Sequence, residues 1–208
     1  VQVLLSTMVL KLYDNKTALI SGSCGSRFIS FDRCILASGC RERTLYSQNI
    51  CGTRPAGIMT CGTAQKLINI DRVDIKDGII ILGTGDVGQI MARQLIQSGK
   101  HIIAMIEKES QSGGLKRNIE NCIKAYDIPL MLNTVITEIS GEGRINGVFV
   151  RHMDTDREEF ISCNTLLTAI GMIPEKDLIN DLVRSAPLPN WLTPVGNCDY
   201  VHDIVDSV

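Results

Sequence analysis

Short apolar runs separated by polar turns open the chain. Residues 8–13, 18–21 and 28–31 are apolar or alternating, with Asp14-Asn15-Lys16 and a Gly-Ser stretch at 22–26 between them, and this pattern predicts a β-meander. The run Val1-Gln2-Val3-Leu4-Leu5 is strand-like as well. Cys34-Ile35-Leu36-Ala37 is continuously apolar, which predicts a strand covered on both faces. Residues 38–58 lack periodicity and carry four Gly or Pro, predicting a structured loop, and a short helix is expected over 64–70.

The period changes in the middle of the chain. A buried strand over 78–82 is followed by an amphipathic helix over 86–98 that stops at Gly99, then by a second buried strand over 102–106. After a Gly113-Gly114 break come a helix over 118–125 and a strand near Leu130. Strand, helix, strand, helix, strand with short connections predicts a parallel sheet with right-handed crossovers, so the fold class is α/β. Residues 134–170 return to strands at 135–140, 148–152 and 166–170, with turns at Gly141-Glu142-Gly143 and 154–159. Residues 173–208 hold four of the six prolines and little periodicity, as expected of a tail that packs on another part of the protein.

Composition removes several function classes. Apolar residues make up 44% and charged residues 21% of the 208 residues, which disfavours disorder, collagen and coiled coil. The net charge of −2 comes without a Lys/Arg run, so the electrostatic footprint of a nucleic-acid binder is missing. Apolar runs such as Ile79-Ile80-Ile81-Leu82 fall short of the roughly 18 residues that a membrane span needs. No signal peptide is visible, and a cytoplasmic location is expected. The chain opens at Val1 inside a strand-like run, which suggests a piece of a longer chain. No two of the eight cysteines have Cys-x-x-Cys spacing and the three histidines are scattered, so no metal site is predicted and the thiols are expected to be mostly small buried hydrophobes.

The candidate chemistry lies in Gly83-Thr84-Gly85-Asp86-Val87-Gly88, a G-x-G-x-x-G turn directly after a buried strand and directly before a helix. Glu107 ends the next strand, 24 positions after Gly83, close to the spacing at which an acid hydrogen-bonds a ribose 2′-OH. Gly83 permits the tight turn, Gly85 lets backbone approach a pyrophosphate, and Gly88 lets helix pack on strand. The helix N-terminus favours the phosphates. The carboxylate would repel a 2′-phosphate, and Glu107-Lys108-Glu109 offers no Arg, so NAD(H) is expected over NADP(H).

With these motifs the chain resembles the pyridine nucleotide-dependent flavin oxidoreductases, the pyridine nucleotide-disulfide oxidoreductase group that includes thioredoxin reductase and the NADH oxidases. Ile35-Leu36-Ala37-Ser38-Gly39 is similar to the first junction of that family's inserted nicotinamide-binding domain, and Leu167-Thr168-Ala169-Ile170-Gly171 with Pro174-Glu175 to the second. Val195-Gly196-Asn197-Cys198 is similar to its Gly-Asp flavin motif, with Asn for Asp. The segments around Arg41, Arg43 and Arg54 resemble NAD/FAD-dependent dehydrogenases, some of which are subunits of larger assemblies. The resemblance implies a Rossmann-like NAD-binding domain at 72–168 inserted between partial FAD-binding segments at 1–71 and 169–208. It implies NAD(H) as cofactor, FAD in the full-length protein, and hydride passed from NADH to FAD. Implied partners are NADH, an N-terminal FAD-binding segment, and dehydrogenase subunits or a homodimer.

The implied cofactor-binding residues are Gly83, Thr84, Gly85, Asp86, Val87, Gly88, Glu107, Lys108, Ala37, Ser38, Gly39, Ala169, Ile170, Gly171, Gly196 and Asn197, with no catalytic side chain and no metal ligand. Three departures stand out. The FAD glycine motif is not found ahead of the meander, Thr60-Cys61-Gly62-Thr63 replaces a Cys-x-x-Cys, and Ile90 stands where the family often has a Glu near the nicotinamide. Two alternatives remain at this point: a thiol/disulfide reductase using Cys61, with Cys51 as a distant partner, and a non-catalytic NAD-sensing or assembly module. His202 is placed by sequence beside the flavin motif.

Overall fold

The computed structural model describes residues 1–183 and 187–202. They form two compact units, one from residues 42–172 and the other from residues 1–41 with residues from 173 onward. Residues 42–71, grouped by sequence with the first segment, pack inside the larger unit.

The larger unit is built on a five-stranded parallel sheet. Its order is Leu130–Met131, Ile102–Ile106, Ile79–Leu82, Thr165–Thr168 and Ile58–Thr60. Strand side chains alternate between faces, so the Ile79-Ile80-Ile81 run serves both. Ile79 and Ile81 pack with Met105 and Leu167 against Met91, Ala92 and Leu95 of the Asp86–Gln97 helix and against Cys61 and Ala64 of the Cys61–Asn69 helix. Ile80, Ile106 and Leu166 face the other way, onto Ile136, Ile139, Val148 and Val150 of an antiparallel sheet. That sheet pairs Thr134–Gly141, Ile145–His152 and Glu158–Ser162 as a meander, with Cys51–Gly52 added parallel at its edge. The result is three layers: helices, parallel sheet, antiparallel sheet.

The smaller unit contains the expected meander, Met8–Tyr13, Thr17–Gly22 and Gly25–Ser30. Cys34–Leu36 pairs parallel with Leu192–Pro194. Leu12, Ala18, Ile20 and Leu36 share a core with Ile179 of the Asp177–Val183 helix, Trp191, Leu192 and Cys198. Arg41 forms ion pairs with Glu175 and Asp177, and its hydrogen bond and charge hold the Glu175 carboxyl below the usual carboxylate range.

Several sequence expectations are corrected. Val1 to Leu5 are exposed and form no strand. Ile35 is 74% exposed, so its strand is not covered on both faces. Residues 38–58 hold the strands Cys40–Glu42, Cys51–Gly52 and the start of Ile58–Thr60, too short to show a period. The helix expected at 64 starts at Cys61, because Thr60 caps it by accepting a hydrogen bond from the Thr63 N–H. The helix expected over 118–125 is a mixed stretch, Lys116–Asn118 α-helical, Ile119–Ile123 π-helical and Lys124–Tyr126 3-10. The described part of the expected tail carries a helix, a strand and core side chains, although residues 184–186 and 203–208 lie outside the described residues.

Candidate functional site

The Ile79–Leu82 strand ends in the glycine turn at the C-terminal edge of the parallel sheet. The Gly83 N–H donates to the Ile106 carbonyl (2.8 Å) and the Ala169 N–H to the Leu82 carbonyl (2.7 Å), so three strand ends are stitched together. Gly83 has φ +100°, and a Cβ there would lie 2.3 Å from the Ala169 oxygen. Only glycine fits. Gly85 precedes the Asp86–Gln97 helix with extended backbone, no side chain caps that helix, and a Cβ on Gly85 would meet nothing within 4 Å. No cap side chain therefore takes up the first-turn N–H groups, which have no partner within a helix. Gly88 packs tightly, since a Cβ on it would lie 2.7 Å from the Gly83 oxygen.

A polar network ties this turn to the next strand. Glu107 Oε2 accepts from the Thr84 N–H (3.1 Å) and the Thr84 hydroxyl (2.8 Å), while Oε1 accepts from the Glu109 N–H (3.2 Å). The Thr84 hydroxyl in turn accepts from the Gly113 N–H (2.9 Å). Gln89, fully buried on the helix's inner side, donates to the carbonyls of Thr84 (2.6 Å) and Gly113 (2.7 Å). Asp86 Oδ1 accepts from the Leu115 N–H (2.8 Å) and the Asn118 amide (2.7 Å). The Gly113-Gly114 break is thus a loop folded back onto the glycine turn. Gln89 is missed from the sequence, and Gly113 is seen there only as a break; a polar residue on the buried face of an amphipathic helix is the signal that could have found the first.

Gly83, Glu107 and Lys108 share one cleft of about 490 Å³ with Arg43, Thr134–Ile136 and Ala169–Gly171. Its walls are mixed: apolar Ile50, Leu82 and Ile106 from the core beneath, and Arg43, Glu107 and Lys108 as charges at the rim. The Arg43 N–H donates to the Gly171 carbonyl (2.9 Å), and among the described residues no carboxylate pairs with its guanidinium. Lys108 is exposed and lies 3.4 Å from Glu109. The structure therefore brings Gly83, Glu107, Lys108, Ala169, Ile170 and Gly171 together, Thr84 joining through Glu107. Val87 points elsewhere, to a smaller apolar hollow with Ile90, Cys61 and Gln65. The smaller unit assembles its own set: Ala37, Gly39, Gly196 and Asn197 line an open cleft of about 360 Å³, and Ser38 donates to the Glu175 carbonyl (2.7 Å).

Burial counts against the thiol alternative. Cys61 is 1% exposed, and desolvation, with Glu42 adding to it, pushes its thiol up to about 12. A thiol so placed stays protonated at neutral pH. Among the described residues no disulfide forms, and Cys51 is exposed. His152 is engaged with Glu159 (2.9 Å) and Thr134 (3.2 Å), and the His202 N–H donates to Asn197 (3.0 Å). Among the described residues no group of three or more His, Cys, Asp or Glu could hold a metal ion, and no helix is long and apolar enough to cross a membrane.

Comparison with known proteins shows the family and the fold. The sequence pattern of the pyridine nucleotide-disulphide oxidoreductase family matches residues 1–188. A thioredoxin reductase of Mycolicibacterium smegmatis is 26% identical over 150 residues, 72% of this chain and 46% of that protein. One from Neurospora crassa is 26% identical over 152 residues, 71% of this chain and 44% of that protein. The chain thus spans under half the length of these curated relatives. The crystal structure of T. acidophilum thioredoxin reductase superposes with a TM-score of 0.70 at 18% identity, covering 92% of this chain and 65% of that one, a likeness of fold.

Proposed function

The chain belongs to the pyridine nucleotide-disulphide oxidoreductase family, and from that premise we propose that it carries the NAD(H)-binding portion of a flavin-dependent oxidoreductase that passes hydride from NADH to FAD. The observation that carries this reading is Glu107 at the rim of one cleft with Gly83, beside a helix start that no side chain caps. In the proposal the open face above Gly85 and the first-turn N–H groups of the Asp86–Gln97 helix take the pyrophosphate. Glu107 takes the adenosine ribose hydroxyls, and Ala169-Ile170-Gly171 form the opposite wall. The cleft is open, touches the glycine turn at Gly83 and has a carboxylate at its rim, which suits a dinucleotide. The NAD-binding domain of this reading, 72–168 by sequence, extends to the rest of the larger unit, residues 42–172, and Ala37, Ser38, Gly39, Gly196 and Asn197 hold part of a flavin nucleotide between the flanking segments.

When bound, the nicotinamide supplies the hydride and the flavin accepts it. The side chains of this chain bind and orient, and none is assigned as acid or base. Glu107 favours NADH, because a 2′-phosphate would set like charge beside it in a half-buried site. Titrating NADH and NADPH against the purified chain tests the reading. NADH binds about tenfold tighter or better, and Glu107→Ala narrows the gap. Equal affinities would overturn the NADH preference, and binding of neither nucleotide would overturn the dinucleotide site.

A further inference from the structure

We propose that Thr84, the residue between the first two glycines, is a positioning residue that sets nucleotide preference by holding the Glu107 carboxylate in place. The inference rests on reading the cleft as a dinucleotide site and goes one step past it, to what fixes the specificity of that site.

Thr84 is fully buried and its hydroxyl has a single proton. The Gly113 N–H occupies an acceptor position on that oxygen (2.9 Å), so the proton is directed to Glu107 Oε2 (2.8 Å). The Thr84 N–H donates to the same oxygen (3.1 Å). Oε2 is therefore saturated from the protein side, whereas Oε1 has one longer bond, from the Glu109 N–H (3.2 Å). A carboxylate so held presents Oε1 to a ligand hydroxyl and cannot turn aside for a bulkier, negatively charged substituent. Gln89 completes the clasp by gripping the carbonyls of Thr84 and Gly113 at once. A Glu107 without the Thr84 hydroxyl has rotamers that point away from the cleft, and the repulsion that excludes a 2′-phosphate weakens with every such excursion.

The test compares Thr84→Val, which keeps the shape and removes the hydroxyl, with Thr84→Ser, which keeps the hydroxyl. Affinities of the purified chain for NADH and NADPH are measured by calorimetry, and exchange of the Gly113 amide is followed without nucleotide. Thr84→Val should reduce the NADH-to-NADPH affinity ratio by about tenfold, while Thr84→Ser stays within about twofold of the parent; Gly113 exchange should accelerate only in Thr84→Val. Thr84→Ala serves equally if valine is not accommodated. An unchanged ratio in Thr84→Val, or equal loss of both nucleotides, would overturn the positioning role alone. A parent chain that binds neither nucleotide would overturn the dinucleotide reading, and the role with it.

Discussion

The Glu42 carboxylate straddles the backbone N–H of Gly62, its two oxygens at 2.9 and 3.0 Å. With Thr60 accepting from the Thr63 N–H, it supplies the start of the Cys61–Asn69 helix with a second acceptor, and a negative one at the positive end of the dipole. A Cβ on Gly62 would lie 2.5 Å from Glu42 Oε2 and evict the carboxylate. Glu42→Ala and Gly62→Ala should therefore each cost about 1.5 kcal/mol, a bond to a charged group. The double variant should cost little more than either single one, because both remove the same interaction. Urea denaturation of the four proteins measures the coupling; simple additivity would show that the two residues act separately.

Buried thiols give the fold an alkaline weakness. The unfolded chain ionises Cys61 near 9.0, whereas burial holds the folded thiol neutral up to about 12. Below 9.0 both states are protonated and the thiol costs nothing; between 9.0 and 12 only the unfolded state loses the proton, so stability falls as pH rises. Cys61→Ala should flatten that fall by about 1.4 kcal/mol per pH unit. At pH 8 the exposed Cys24 and Cys51 should react with a thiol reagent, while Cys61, Cys122, Cys163 and Cys198 wait for unfolding. Mass spectrometry after timed alkylation checks the order, and early labelling of Cys61 would revive a redox role for it.

Shaping the chain and the proposed admission of a phosphate are two duties of the glycine turn that separate by stability. Gly83→Ala meets both a φ of +100° and a carbonyl 2.3 Å away, and should cost about 3 kcal/mol or more. Gly85→Ala has ordinary backbone and open space, so it should cost under about 1 kcal/mol, mostly as a poorer helix cap. Its methyl group would nevertheless stand where the pyrophosphate is proposed to approach. NADH affinity should fall at least about tenfold in Gly85→Ala with the melting temperature nearly kept. Unchanged affinity would move the phosphates away from this turn.

These residues also mark how far the sequence can be read. Gly83, Gly85 and Glu107 are legible because the turn and the strand-end acid lie in one strand-helix-strand unit, where spacing translates into geometry. The other strands of the parallel sheet are not all so. Thr165–Thr168 reads as a strand and Ile58–Thr60 does not, and neither segment reveals that the two lie side by side in the parallel sheet. Long-range pairing leaves no local period. Arg43 and Thr134–Ile136 enter the cleft by the same route, from segments brought in by tertiary packing. Ile35 errs in the opposite direction: a β-branched residue in an apolar run implies burial, yet its face is open.

Asp86 carries the last test, because its effects on folding and binding should have opposite signs. Its Oδ1 holds the Leu115 N–H and the Asn118 amide, fixing the loop that returns to the glycine turn, and Asp86→Ala should cost about 2 kcal/mol by leaving both donors unpaired. Asp86→Asn keeps an acceptor oxygen and should cost under about 1 kcal/mol. It also removes a negative charge from the first turn of the helix that is proposed to receive the phosphates. NADH should then bind about threefold tighter at low salt, and the gain should shrink as added salt screens the charge. Calorimetric titration at two ionic strengths, alongside thermal melting, reads both signs. A variant that loses stability and affinity together would mean that Asp86 supports the site only through the loop, its charge lying too far from the phosphates to oppose them.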